Sequence, residues 1–130
     1  MSYQHAIVWI DHQHATVIDF SFDDTHVVMV ERDGGPRRIH QKSGIPGSGK
    51  AEDDPKFFDA VAEALGDARE ILVVGPGNAK TSFRKELDRR HPQVAARVVG
   101  VESADHPTNG QLLSFARTYF KRIDTLRGDV

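Results

Sequence analysis

Glu70-Ile71-Leu72-Val73-Val74-Gly75-Pro76-Gly77-Asn78-Ala79-Lys80-Thr81-Ser82-Phe83 decides the fold. The short apolar run at its start is too brief for a helix and predicts a buried strand. Gly75-Pro76-Gly77 ends that strand, and Asn78 stands where a helix cap is wanted. Phe83 and Leu87 then fall on one side of a helix that His91-Pro92 stops. Arg97-Val98-Val99-Gly100-Val101 is a second strand of the same kind. Strands joined through a helix are predicted to run parallel, with a right-handed crossover.

Upstream the rhythm differs. Ala6-Ile7-Val8-Trp9-Ile10 is a continuous β-branched and aromatic run, as a strand buried on both faces would be. Asp11-His12-Gln13-His14 supplies turn chemistry, Ala15 to Phe20 a second strand, Phe22 to Thr25 another turn, and His26 to Arg32 a third strand. Short turns between three strands predict an antiparallel meander. Arg37 to Lys42 reads as a short fourth, edge-like strand, and residues 43–51 as an exposed Gly/Ser/Pro loop. Asp54 and Pro55 then open a helix carrying Phe57, Phe58, Val61 and Leu65, with Gly66 to end it. At the far end, Thr108-Asn109-Gly110-Gln111 fits a capping box before a closing helix. Its apolar stripe is Leu112, Phe115, Ala116, Tyr119, Phe120 and Ile123. The order predicts an α/β fold of RNase H-like layout: a mixed sheet from a meander of three or four strands, then helix-strand-helix-strand-helix. Residues 1–130 read as one domain, without internal repeat or linker.

Composition narrows the classes. A chain of 130 residues can bury a sizeable core without a staple. It has no cysteine, which excludes a disulfide scaffold, a zinc ribbon, a cysteine protease and thiol redox chemistry. With 38% hydrophobic and 28% charged residues the balance is globular. No apolar segment approaches a membrane span or a signal sequence, so the expected location is cytoplasmic.

Several features could carry chemistry. Gly44-Ile45-Pro46-Gly47-Ser48-Gly49-Lys50 has the spacing of a phosphate-binding P-loop. That motif needs a Ser or Thr after the lysine to hold magnesium, and Ala51 stands there. It also needs a helix starting at the lysine, where acids and Pro55 intervene instead. Asp11 ends the first strand, where RNase H-type nucleases hold metal, and Glu102 and Asp105 follow the last strand. Together they could serve metal-dependent phosphodiester cleavage, or they could simply finish strands and turns. Asp11, His12 and His14 could likewise bind a metal in one turn, though a single turn aims few ligands correctly. No serine stands in a nucleophile elbow. The composition asks for no cofactor.

The Gly75-Pro76-Gly77-x-x-Lys80-x-x-Phe83 run between strand and helix resembles the central domain of Pelota and of archaeal and eukaryotic class-1 peptide release factors. The layout resembles it over nearly the full chain. Val101-Glu102-Ser103-Ala104-Asp105-His106-Pro107, leading into Gly110-Gln111, looks like small bacterial single-domain translational machinery proteins. The resemblance implies a translation-associated module that contacts the ribosome or tRNA. In release factors the loop before the first helix carries the Gly-Gly-Gln that serves peptidyl-tRNA hydrolysis. Here the matching loop, Gly44 to Lys50, contains no glutamine, which implies binding without hydrolysis. Asn109-Gly110-Gln111 reads as a helix cap and not as a displaced copy of that triplet.

The formal charge of −2 hides opposed blocks. Residues 37–50 carry four bases and no acid (+4), and residues 80–97 carry six bases against two acids (+4). The expected RNA contacts are therefore Arg37, Arg38, Lys42, Gly47 and Lys50, joined by Lys80, Arg84 and Lys85. A third reading is an interaction domain in which the meander edge pairs with a second copy.

Overall fold

The computed structural model describes residues 4–32, 55–66 and 68–127. The fourth strand expected over Arg37 to Lys42, the loop at 43–51 and the Asp54 cap lie outside the described residues.

Among the described residues, five strands and four helices follow in the order β1 (His5–Ile10), β2 (His14–Phe20), β3 (Thr25–Glu31), α1 (Pro55–Leu65), β4 (Glu70–Gly75), α2 (Ala79–Arg90), α3 (Pro92–Ala95), β5 (Val98–Ser103) and α4 (Asn109–Arg127). The sheet order is β3-β2-β1-β4-β5. β1 and β2, and β2 and β3, pair antiparallel, whereas β1 with β4 and β4 with β5 are parallel. β1 is thus the seam where the meander meets the βα units. That position explains its unbroken apolar run, since it has strands on both sides and helices on both faces.

Alternation along the strands divides the core in two. Ala6, Val8, Ile10, Val17, Ile71 and Val73 face α1 and α2, where Phe57, Phe58, Val61, Leu65, Phe83 and Leu87 meet them. Ile7, Trp9, Ile18, Phe20, Leu72 and Val74 face α4, which returns Leu112, Ala116 and Phe120. Fully burying each such large side chain contributes about 1.5–3 kcal/mol. α4 does not reach β3, so Val27 and Met29 on that face remain exposed, Met29 at 58%.

Local signals act as read, with three departures. Gly66 ends α1 at φ 58°, the left-handed conformation that glycine accepts without strain. The Thr108 amide donates to Gln111 Oε1 (2.8 Å) and the Gln111 amide to Thr108 Oγ1 (3.1 Å), which is the reciprocal capping box. Asn78, by contrast, precedes α2 without a side-chain cap bond. Its backbone is already helical (φ −88°, ψ −9°), so its carbonyl takes the Thr81 and Ser82 amides instead. Pro92 not only stops α2 but starts the short α3, because proline suits a first helical position. Phe115 is 44% exposed, so the stripe of α4 is narrower than its spacing predicts.

Candidate nucleic-acid interface

The carboxyl ends of β1, β4 and β5 share one edge of the sheet because these strands are parallel. Open α/β sheets bind ligands at that edge. Three segments meet there: the turn after β1, the Gly-Pro-Gly turn after β4, and the loop from Ala104 to Thr108 before α4.

The first turn is built by Asp11. Its Oδ1 accepts the Gln13 and His14 amides, both at 2.8 Å, and lies 3.5 Å from His14 Nδ1. The His12 carbonyl accepts a bond from Arg32 at 3.1 Å, which fastens the turn to the end of β3. Glu102 is exposed on β5, and Asp105 is exposed in the loop, where its backbone carbonyl accepts the Trp9 indole N–H at 2.6 Å. Among the described residues no three His, Asp or Glu side chains are grouped to hold a metal ion. Asp11, Glu102 and Asp105 therefore do not form the carboxylate set that two-metal cleavage needs, nor do Asp11, His12 and His14 form a ligand set. Asp11 serves its turn.

The second turn depends on Gly75. A Cβ at that position would run into the carbonyl oxygen of Ile10 on the neighbouring strand. The Gly75 carbonyl accepts the Ala104 amide at 2.9 Å, joining the second segment to the third. Lys80 folds back to donate to the Gly77 carbonyl at 2.5 Å.

The basic block that follows is less free than its charge count suggests. Arg84 pairs with Asp88 at 2.6 Å, and Arg89 with Glu86 at 3.0 Å. Arg90 pairs with Asp59 at 2.8 Å and reaches Glu86 at 3.4 Å. Asp59 also holds His91 Nε2 at 2.7 Å. Arg97 is structural, donating to the carbonyls of Gln93, Gly66 and Ala68. Lys80 and the exposed Lys85 make no acidic pair among the described residues. An exposed pair such as Arg84–Asp88 contributes only about 0–1 kcal/mol, so an incoming phosphate can compete for that guanidinium. Arg37, Arg38, Lys42, Gly47 and Lys50 lie outside the described residues, so the two basic blocks are not seen together.

The third segment holds what sequence reasoning missed. The Trp9 ring meets both His14 (centroids 5.2 Å apart) and His106 (5.1 Å), which come from different segments. Nothing local in the sequence signals that meeting, because the Trp9 N–H bond to Asp105 spans 96 residues. On the adjacent stretch of α4, Tyr119 rests its hydroxyl on Gly100 of β5. Burial, with the Glu102 carboxylate adding to it, holds the Tyr119 hydroxyl above the usual tyrosine range. A pKa raised on folding adds stability that is complete below the unfolded value of about 10 and fades as pH rises through the folded value. The expected result is a wild-type unfolding midpoint that falls more steeply above about pH 10 than that of Tyr119→Phe, measured by denaturant titration at stepped pH.

The α/β fold built by this sheet order and these strand directions is similar to that of solved Pelota and archaeal termination-factor structures. One relative similar in both sequence and structure is the Pelota of Archaeoglobus fulgidus. In sequence this chain is 29% identical to it over 106 residues, 80% of the chain and 30% of that protein. The fold matches the A. fulgidus Pelota crystal structure with a TM-score of 0.62 at 16% identity, covering 91% of this chain and 32% of that one. Thermoplasma acidophilum Pelota matches at TM-score 0.58 and 21% identity, over 85% of this chain and 31% of that one. An archaeal translation termination factor matches at 0.53 and 16% identity, over 95% of this chain and 41% of that one. This chain thus spans about a third of the length of the Pelota proteins it matches. No family model matches the sequence.

Proposed function

We propose that this chain is a translation-associated binding module that contacts the ribosome or tRNA through its glycine-rich basic segment, without hydrolysing peptidyl-tRNA. The observation that carries this reading is the similarity to Pelota in sequence over 80% of the chain. Arg37, Arg38, Lys42 and Lys50 supply the positive charge, and Gly47 leaves the backbone open to a phosphate. Lys80, Arg84 and Lys85 add a second set of cations on α2. Two observations support the non-hydrolytic reading: Gly44 to Lys50 contains no glutamine to position a water, and Gln111 is engaged in its capping box. The module works in the cytoplasm and needs no cofactor.

Co-sedimentation with ribosomes across a salt series tests the proposal. The wild type should pellet at low salt and be released as salt rises, and Arg37→Ala with Arg38→Ala should bind more weakly with a shallower salt slope. Absence from the low-salt pellet, or indifference to the double substitution, would overturn it. Release of peptide from peptidyl-tRNA by the purified protein would overturn the non-hydrolytic part.

A second reading has its own observation. Among the described residues β3 is the sheet's edge, and Val27 and Met29 are exposed beside it, so a second copy of the chain could pair there. A dimer mass in light scattering, lost in Met29→Lys, is the expected result; a monomer mass at high protein concentration would sink it.

A further inference from the structure

At the first turn of α4, the end of the sheet forms a small open cleft of about 90 Å³ lined by Trp9, His14, Thr16, His106 and Asn109, with Pro107 and Leu112 completing the wall. Thr16 is the unusual member. It sits mid-strand in β2 opposite Trp9 and is only 6% exposed, yet its hydroxyl has no hydrogen-bond partner among the described residues. That hydroxyl opens onto the pocket, and valine would fill this strand position equally well, so packing alone does not call for it.

The other groups around the cleft also donate. The His14 and His106 rings both lie against Trp9, whose own N–H is already taken by the Asp105 carbonyl, and His14 Nδ1 stands 3.5 Å from Asp11 Oδ1. Asn109 opens α4, a helix of 19 residues whose dipole favours negative charge at this end. The capping box uses the amides of Thr108 and Gln111 and neither of those between them. No carboxylate lines the cleft: Asp11 is turned to the Gln13 and His14 amides, and Asp105 contributes its carbonyl. Water occupies about 30 Å³ in the liquid, so the space suits one small oxyanion and is too small for a nucleoside.

We propose that this cleft binds a phosphate oxyanion, held by the Thr16 hydroxyl, the His14 and His106 rings and the first turn of α4. The phosphate comes either from RNA or from free inorganic phosphate. This site does not rest on the ribosome reading, since free phosphate would fill it even in a protein that never meets RNA.

Trp9 is the chain's single tryptophan, so its fluorescence reports on the cleft directly. Titration with inorganic phosphate, against chloride at matched ionic strength, should give a saturable change. Thr16→Val should weaken binding at least tenfold while melting no lower than the wild type, because it removes a hydroxyl that makes no hydrogen bond among the described residues. Thr16→Ser, which restores the hydroxyl, should bind within about threefold of the wild type. His106→Ala, in an exposed loop, should weaken binding without unfolding the chain. Competition by a 5′-phosphorylated oligoribonucleotide but not its 5′-hydroxyl form assigns the ligand to an RNA end, competition by both to an internal phosphodiester, and competition by neither to free phosphate. A response no different from chloride, or equal affinity in wild type, Thr16→Val and His106→Ala, would overturn the proposal.

Discussion

Gly75→Val is expected to lower the unfolding free energy by about 3 kcal/mol or more, and Gly75→Ala by about 2 kcal/mol. The cause is a backbone contact and not a lost interaction. A Cβ at residue 75 would occupy the space of the Ile10 carbonyl oxygen. That carbonyl belongs to the central strand, which is paired on both sides and cannot retreat without disturbing both ladders. A flexible side chain could have swung away, but a carbonyl in a sheet has nowhere to go. Guanidinium unfolding should show the midpoint falling with an unchanged slope, since the same surface is still exposed on unfolding. A variant as stable as the wild type would mean that the two strands can part at this point.

Phe83→Ala should cost about 3–5 kcal/mol, the usual toll for deleting a fully buried aromatic. Phe83 is wholly buried on α2 and packs its ring against Phe58 of α1 at 5.5 Å between centroids. Removing it unties two helices from the sheet at once, and neither can close the gap alone because each is fixed by its own strand contacts. Thermal unfolding should show a large fall in midpoint, whereas Lys85→Ala, at an exposed site of the same helix, should change it little. If Phe83→Ala proved as mild as Lys85→Ala, the core on that face would be far more plastic than its burial indicates.

These two positions explain why the Gly75-to-Phe83 run was so readable. Gly75 is set by the approach of β1, Lys80 by the Gly77 carbonyl, and Phe83 by the core. The nonapeptide records how a strand turns into a helix, and so it identifies the fold without locating a chemical site. Elements governed by neighbours in sequence were legible in the same way: the Gly66 stop, the Thr108–Gln111 box and the apolar run of β1. What escaped depended on partners far along the chain. Arg90 meets Asp59 from 31 residues away, which neutralises part of a block that looked freely cationic. Phe115 fits the helical stripe by spacing, but α4 turns it toward solvent because the sheet beneath is covered by Leu112, Ala116 and Phe120. Thr16, Trp9 and His106 come from a strand, its neighbour and a distant loop, and only the fold puts them around one space. The basic segment from Arg37 to Lys50 remains the part of the proposed interface that rests on sequence.

The position of β1 also bears on how the chain is made. The β1–β2–β3 meander involves only residues 5–31 and can form early, as a local structure does. The partner for the other side of β1 is β4, and its first rung, His5 with Glu70, closes 65 residues later. On a ribosome adding about 5–20 residues per second, the edge from Ala6 to Ile10 therefore waits several seconds with its backbone groups unpaired. An apolar, unpaired strand edge is what other chains add to most readily. The sheet seam that gives the finished molecule its buried centre is thus an adhesive surface of the nascent chain, and a chaperone would be of most use while the residues between the third strand and the fourth are being made.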